Sequence, residues 1–92
     1  MEQYQYVLDT LRGIIESSVD DLVAAEIEAD SQLTGELGID SLGMFEIADK
    51  AQERWGIKIS DDDLSRFTTV DSMVTFIQAA AEKQALPTMT EV

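Results

Sequence analysis

Apolar side chains recur at intervals of three and four residues in three segments of the chain, which is the pattern of amphipathic helices. The first segment ends near Ser18, the second begins near Ser41 and runs to about Trp55, and the third follows Thr69, a capping residue. Their apolar positions are Tyr4, Val7, Leu8, Leu11, Ile14 and Ile15, then Met44, Ile47, Ala48, Ala51 and Trp55, then Val70, Met73, Val74, Ile77, Ala80 and Ala81. The pattern predicts three main helices.

A brief helix and one long connection complete the predicted fold. Ser60 precedes three aspartates and can cap a short helix from Asp61 to about Arg66. Residues 18–40 lack sustained periodicity, although a short helical turn is expected over residues 26–30, and a connection of this length is often functional. Its apolar anchors are Leu22, Val23, Ile27, Leu33, Leu37 and Ile39. We therefore predict an all-α, four-helix bundle of three main helices and one short helix, with a long first loop.

The length of 92 residues argues for a single domain. We place this domain at residues 1–83, because from about Gln84 the chain has no apolar stripe and contains Pro87. Residues 84–92 are predicted to form a disordered tail. No apolar run approaches the ~18 residues of a membrane span, and no basic cluster precedes an apolar run at the amino terminus. We expect a cytoplasmic, monomeric protein that does not contact a membrane.

The charge balance and the missing residue types exclude several classes of function. The chain has 19 Asp and Glu against 6 Lys and Arg, a formal net charge of -13, so nucleic acid and anionic lipid should repel it. It has no Cys and no His, which excludes disulfide scaffolds, zinc fingers, cysteine proteases and Ser-His-Asp triads. A calcium loop beginning at Asp30 would place Ser41 where an EF-hand needs a bidentate Glu, so we expect no metal site. Basic or largely apolar protein surfaces remain as partners.

The second helix carries apolar side chains outside its core stripe. At 100° per residue, Leu42 falls on the face opposite that stripe, and Phe45 falls at the edge of this opposite face. Three carboxylates, Glu46, Asp49 and Glu53, share this face. Exposed apolar groups beside charges are typical of a binding surface. The alternatives are a plain solvated face and a Phe45 side chain that tucks under the long loop.

Ser41 occupies a position suited to an attached anion. Gly38 lets the loop turn sharply before Asp40 and Ser41, and free N–H groups at a helix start favour negative charge. Without His or a nearby Lys, Ser41 has no base of its own, so it suits another enzyme's chemistry better than catalysis. The alternative is that Asp40 and Ser41 only cap the helix. A reading of Asp40 and Glu46 as a catalytic acid–base pair lacks an evident cavity.

The segment Leu37-Gly38-Ile39-Asp40-Ser41-Leu42 resembles the attachment motif of acyl carrier proteins. The resemblance extends to Phe45-Glu46-Ile47, to Trp55-Gly56-Ile57-Lys58-Ile59 and to Thr68-Thr69-Val70-Asp71, and it covers about residues 4–83. It implies that a phosphopantetheinyl transferase moves a 4′-phosphopantetheine arm from coenzyme A onto Ser41. The terminal thiol of that arm would hold an acyl group as a thioester, and the chain itself would not be an enzyme.

The resemblance also implies a docking surface on the second helix. By position, the docking residues would be Asp40, Leu42, Phe45, Glu46, Asp49 and Glu53. The expected partners are the transferase and acyl-loading, ketosynthase, acyltransferase or condensation-type enzymes with basic and apolar patches.

The chain departs from carriers of the fatty-acid type at several positions. Gly43 and Asp49 stand where an acidic and an apolar residue, respectively, are frequent, and Lys50 and Arg54 add positive charge to the helix flank. These departures favour a specialised pathway, polyketide or mixed polyketide–nonribosomal peptide, and a start Met favours a free-standing carrier. The alternatives are an aminoacyl or peptidyl carrier, and an unmodified acidic helical adaptor that only binds proteins.

Overall fold

The described residues form four helices and one short 3₁₀ turn. The computed structural model describes the backbone of residues 2–85 and the side chains of residues 3–82. The helices are α1, Glu2–Ser18; α2, Ser41–Trp55; α3, Asp61–Arg66; and α4, Val70–Ala85. The part of the chain that is described contains no strand, which confirms the predicted all-α bundle with three long helices and one short one.

The ends of the chain bear on two expectations. Helix α4 extends to Ala85, into the segment predicted as a tail, and the rest of that segment lies outside the described residues. Within the described residues, no helix is both long enough and apolar enough to cross a membrane.

The core lies where α1 packs against α2 and α4. The aliphatic side chains at the centre of this packing are fully buried, among them Leu11, Ile15, Ile47 and Ile77. Ala48 and Ala51 lie buried on the inner face of α2, where their small side chains allow neighbouring helices to approach closely. Trp55 and Phe76 lie at the margin of the core, and the Phe76 ring meets Phe67 edge-on at 5.3 Å.

Local capping sets the helix boundaries that the sequence predicts. The Ser60 hydroxyl accepts from the Asp63 N–H at 3.1 Å, and the Asp63 carboxylate accepts from the Ser60 N–H at 3.0 Å, so both donors are satisfied. The bond from the Ser60 backbone also holds the pKa of Asp63 below its usual value. Gly56 ends α2 in the left-handed conformation, with φ 65°, and donates to the Gln52 carbonyl at 2.8 Å.

The long connection between α1 and α2 is part of the core. Ile27 and Leu33 are fully buried and Ile39 is nearly so. The 3₁₀ turn lies at Ala24–Glu26, slightly earlier than the helical turn expected at residues 26–30, and its Ala24 carbonyl accepts from the Arg12 guanidinium at 3.1 Å. Leu22 and Leu37 pack against the core, whereas Val23, also predicted as an anchor, is 47% exposed. The other anchors hold a segment that has almost no regular structure.

Backbone hydrogen bonds fasten this connection to the start of α4. The Leu33 N–H donates to Thr68 O at 2.9 Å, and the Val70 N–H donates to Ser31 O at 3.0 Å. Gln32 and Thr69 consequently form an isolated antiparallel bridge. These bonds provide partners for backbone N–H and C=O groups in a segment that has almost no regular secondary structure.

Interhelical contacts attach α1 to its neighbours. The Tyr4 hydroxyl donates to the Asp71 carboxylate, which raises the pKa of Tyr4 to about 12. The Arg54 guanidinium donates to the Tyr6 hydroxyl, and its Cζ lies 5.7 Å from the centre of the Trp55 ring. The Tyr4 and Arg54 contacts join residues far apart in sequence and link α1 to α4 and α2.

The first turn of α2 packs tightly against the end of the connection at Gly43. A Cβ atom at this position would lie 2.9 Å from Ile39 Cγ2 and 3.3 Å from Asp40 Oδ1. Ile39 is buried and branched at Cβ, so this methyl group has little freedom to move away. Glycine at position 43 therefore permits the close contact between helix and connection.

Gly43→Ala should destabilise the fold, although alanine is normally the better helix former. Overpacking destabilises by about 1–3 kcal/mol, whereas the higher helix propensity of alanine stabilises by about 1 kcal/mol. We therefore expect the free energy of unfolding to fall by up to about 2 kcal/mol. Urea denaturation followed by circular dichroism measures this change.

The matched control is Gly13→Ala. Gly13 lies in the exposed middle of α1, and an added Cβ would meet nothing within 4 Å. The free energy of unfolding of this variant should rise by about 0.5–1 kcal/mol. A gain of the same size in Gly43→Ala would show that the contact with Ile39 imposes no constraint.

Candidate functional site

The burial of Ile39 fixes the position of Ser41, which lies two residues later and is exposed to solvent. Gly38 adopts φ 68°, the left-handed region, and the following Ile39 is only 1% exposed, with its N–H bonded to Leu33 O at 3.0 Å. Two residues later α2 begins and the Ser41 side chain is exposed. Its hydroxyl makes no hydrogen bond to any residue that the structure describes. The oxygen is therefore accessible to an incoming reagent.

Asp40 caps the helix that Ser41 begins. Its backbone is extended, and its carboxylate accepts from the Gly43 N–H at 2.8 Å. The predicted cap is confirmed, and it belongs to Asp40 and not to Ser41. Because Asp40 satisfies the third N–H of the helix, the N–H groups of Ser41 and Leu42 remain outside the helical ladder. These donors and the helix dipole favour a phosphodiester on Ser41.

An apolar groove adjoins the serine between α2 and α3. Its volume is about 230 Å³. It is lined by Ser41, Met44, Phe45, Asp61, Leu64 and Ser65. The 4′-phosphopantetheine group would fit this arrangement, because an exposed hydroxyl offers the point of attachment and the groove offers an apolar wall beside it.

The residues from α3 were not predicted as part of this site. Asp61, Leu64 and Ser65 face the groove only because α3 folds back beside the start of α2. Short-range periodicity carries no information about that placement. The apolar Leu64 within a run of polar residues is the local feature that could have indicated a buried or ligand-facing side.

The outer face of α2 has the composition that its periodicity predicts. Leu42 is 77% exposed and Phe45 is 53% exposed, so Phe45 does not tuck under the connection. Glu46, Asp49 and Glu53 are also exposed. Together with Asp40, these residues form one anionic and apolar face, which we call the docking face.

Lys50 lies on the flank of this face. Its ammonium group is 3.7 Å from the Glu46 carboxylate and 3.2 Å from the Ser17 hydroxyl. The pair with Glu46 follows from i,i+4 spacing on one helix, whereas the bond to Ser17 depends on the packing of α1 against α2. An exposed pair of this kind contributes a few tenths of a kcal/mol.

A metal site is not a feature of this region. Within the described residues, no group of three or more carboxylates is arranged to hold a metal ion. The carboxylates of α2 are spread along the helix.

Comparison with known proteins agrees with this geometry. Residues 9–77 match the family model described as the phosphopantetheine attachment site. The acyl carrier protein of Streptomyces coelicolor is 34% identical over 79 residues, which cover 86% of each chain. The acyl carrier protein of Thermobifida fusca is 39% identical over 72 residues, 78% of this chain and 90% of that protein.

A third relative has a more specific name. The meromycolate extension acyl carrier protein of Mycobacterium leprae is 36% identical over 77 residues, 82% of this chain and 67% of that protein. The family implies partnership with a phosphopantetheinyl transferase and with acyl-processing enzymes. Its members carry a covalent 4′-phosphopantetheine group derived from coenzyme A and catalyse no reaction themselves. The chain belongs to the acyl carrier protein family.

Proposed function

We propose that Ser41 is the attachment residue and that the chain carries acyl or polyketide intermediates in a specialised biosynthetic pathway. The observation that carries the proposal is the exposed, unpartnered Ser41 hydroxyl at the start of α2, beside an apolar groove. The bound group supplies a thiol that holds the cargo as a thioester. The chain supplies its position and the surface that partner enzymes recognise.

The surroundings of Ser41 support modification by another enzyme. No His exists in the chain and no Lys or Arg lines the groove, so no base of the carrier lies beside the hydroxyl. In the attachment step, the Ser41 oxygen bonds to phosphorus, a phosphoanhydride bond of coenzyme A breaks, and its nucleotide portion leaves. The transferase takes the hydroxyl proton. The helix N-terminus then accommodates the negative charge of the phosphodiester.

The docking face supports recognition by basic and apolar partner surfaces. Leu42 and Phe45 are exposed near the start of α2 and offer apolar contacts close to Ser41. The carboxylates of α2 follow them along the helix. Charges at the rim of an interface act mainly on the rate of encounter, whereas buried apolar anchors hold the complex together. We assign these two roles to the carboxylates and to Phe45 with Leu42, respectively.

The departures on α2 support a specialised pathway. Gly43 stands where an acidic side chain is frequent in carriers of the fatty-acid type, and Asp49 replaces an apolar residue with a charged one. A partner set adapted to a different pattern would recognise this face less well. The form of the attachment motif favours acyl over aminoacyl or peptidyl cargo. Cytoplasmic location and monomeric state stay predictions.

Incubation with coenzyme A, Mg²⁺ and a broad-specificity phosphopantetheinyl transferase should add one phosphopantetheinyl group to the protein. Intact mass spectrometry measures the gain. Ser41→Ala should abolish it, because the acceptor oxygen is lost. Ser65→Ala, which alters a second serine of the same groove, should be modified at the parent rate. An unmodified parent in the presence of active transferase would support the acidic adaptor instead.

Charge reversal on the docking face should slow modification by the same transferase. Glu46→Lys should lower kcat/KM roughly fivefold to tenfold at low salt, corresponding to about 1–1.4 kcal/mol, and the loss should shrink as salt screens the charges. Phe45→Ala should lower kcat/KM by a similar factor at every salt concentration, because its contact is apolar.

The control for charge reversal is Glu82→Lys, which makes the same charge change on the exposed face of α4. It should leave kcat/KM near the parent value. Circular dichroism should show equal helicity in all variants. If Glu46→Lys and Glu82→Lys behave alike, then net charge and not the docking face governs the encounter.

A further inference from the structure

A second cleft lies beside the end of α3. It occupies about 460 Å³ between the long connection and the link from α3 to α4. Amide and hydroxyl side chains line much of it, from Gln32, Thr34, Ser65 and Thr68, and Phe67 forms an apolar wall. This cleft, which we call the polar cleft, differs in character from the apolar groove beside Ser41.

Three polar side chains of the cleft are available to a ligand. The Gln32 amide and the hydroxyls of Thr34 and Thr68 are exposed and make no hydrogen bond to the described residues. Each of these groups can both donate and accept. Next to them, Phe67 is only 9% exposed and contributes an apolar surface. The lining suits a chain that alternates carbon with hydroxyl or carbonyl oxygen.

The polar groups are held by a hydrogen-bonded backbone. The Leu33 N–H donates to Thr68 O at 2.9 Å, so the two walls of the cleft are tied together beneath their side chains. Gly35 permits the Gln32 side chain to lie across the loop, because a Cβ at position 35 would be 2.5 Å from Gln32 Oε1. Binding groups that are fixed before the ligand arrives lose less conformational freedom on binding.

The polar cleft adjoins the groove beside Ser41 at one residue, Ser65. This residue lines both the groove beside Ser41 and the polar cleft. Because Ser41 and Ser65 line one groove and Ser65 also lines the cleft, an arm that follows the groove from Ser41 can pass Ser65 and bring its thiol end to the cleft.

We propose that the polar cleft is a subsite for oxygenated acyl groups, such as 3-hydroxyacyl and 3-ketoacyl thioesters, carried on Ser41. The apolar groove would hold the stem of the arm, and Thr34 and Thr68 would bond to the oxygen at the third carbon of the cargo. The proposal rests on the proposed function and adds a preference among cargoes. A saturated chain of equal length makes no such bond.

The test compares butyryl and 3-hydroxybutyryl cargo on the intact protein. The transferase loads each from the corresponding acyl-coenzyme A, and hydroxylamine then releases the thioester. Each rate is divided by the rate for the same thioester of free pantetheine, which removes differences in intrinsic reactivity. The normalised release of 3-hydroxybutyryl should be about two- to tenfold slower, the range expected for one net hydrogen bond. Amide resonances of residues 32–34 and 68 should shift with this cargo and not with butyryl.

Matched variants assign the effect to the cleft. The double variant Thr34→Val, Thr68→Val keeps the side-chain shape and should abolish the difference between the two cargoes. Thr75→Val, on the exposed surface of α4, should retain it. Equal normalised rates in the parent, or an equal effect in the double variant and the control, would overturn the proposal. Failure to load any cargo would appear first in the intact mass and would overturn the proposed function as well.

Discussion

Burial of three aliphatic side chains from one irregular segment, Ile27, Leu33 and Ile39, positions everything that the carrier presents to its partners. Each such side chain contributes about 1.5–3 kcal/mol when it leaves water, which offsets part of the entropy lost by ordering a long loop. The last of them has the largest consequence. Because Ile39 points into the core and Gly43 packs on its methyl group, the intervening Asp40 and Ser41 face solvent at a fixed place. A loop without these anchors would leave the serine in the same sequence but not in a defined geometry.

Helix α2 serves the core and the partner surface with opposite faces. Its inner face uses Ala48 and Ala51, whose small side chains let the helix approach its neighbours closely. Its outer face keeps Leu42 and Phe45 in water at a free-energy cost that folding alone does not recover. Exposed apolar side chains beside charges are typical of a binding surface. Ser41 stands at the end of the helix where these two faces and the groove meet.

Most of the fold could be predicted because its determinants are local. The bounds of α2 follow from Asp40 and Gly56, and the exposure of Phe45 follows from helical periodicity. The attachment motif is likewise contiguous. The groove and the polar cleft could not be predicted, because both depend on where α3 lies relative to the long connection. The bond from Leu33 to Thr68 that fixes this relation joins residues far apart in sequence, and neither side chain takes part in it.

The positive charges of α2 explain how a docking face can stay anionic without destabilising the bundle. Arg54 contacts Tyr6, and Lys50 contacts Ser17, so both cations turn toward α1 and help to attach the two helices. Asp49 and Glu53 have no ion-pair partner among the described residues, and their field remains available to steer basic surfaces. Glu46 differs, because a partner that binds it must compete with Lys50. The carboxylates of Asp49 and Glu53 are therefore free to meet a partner, whereas Glu46 must first give up its contact with Lys50. This requirement favours partners that can place a cation close to Glu46.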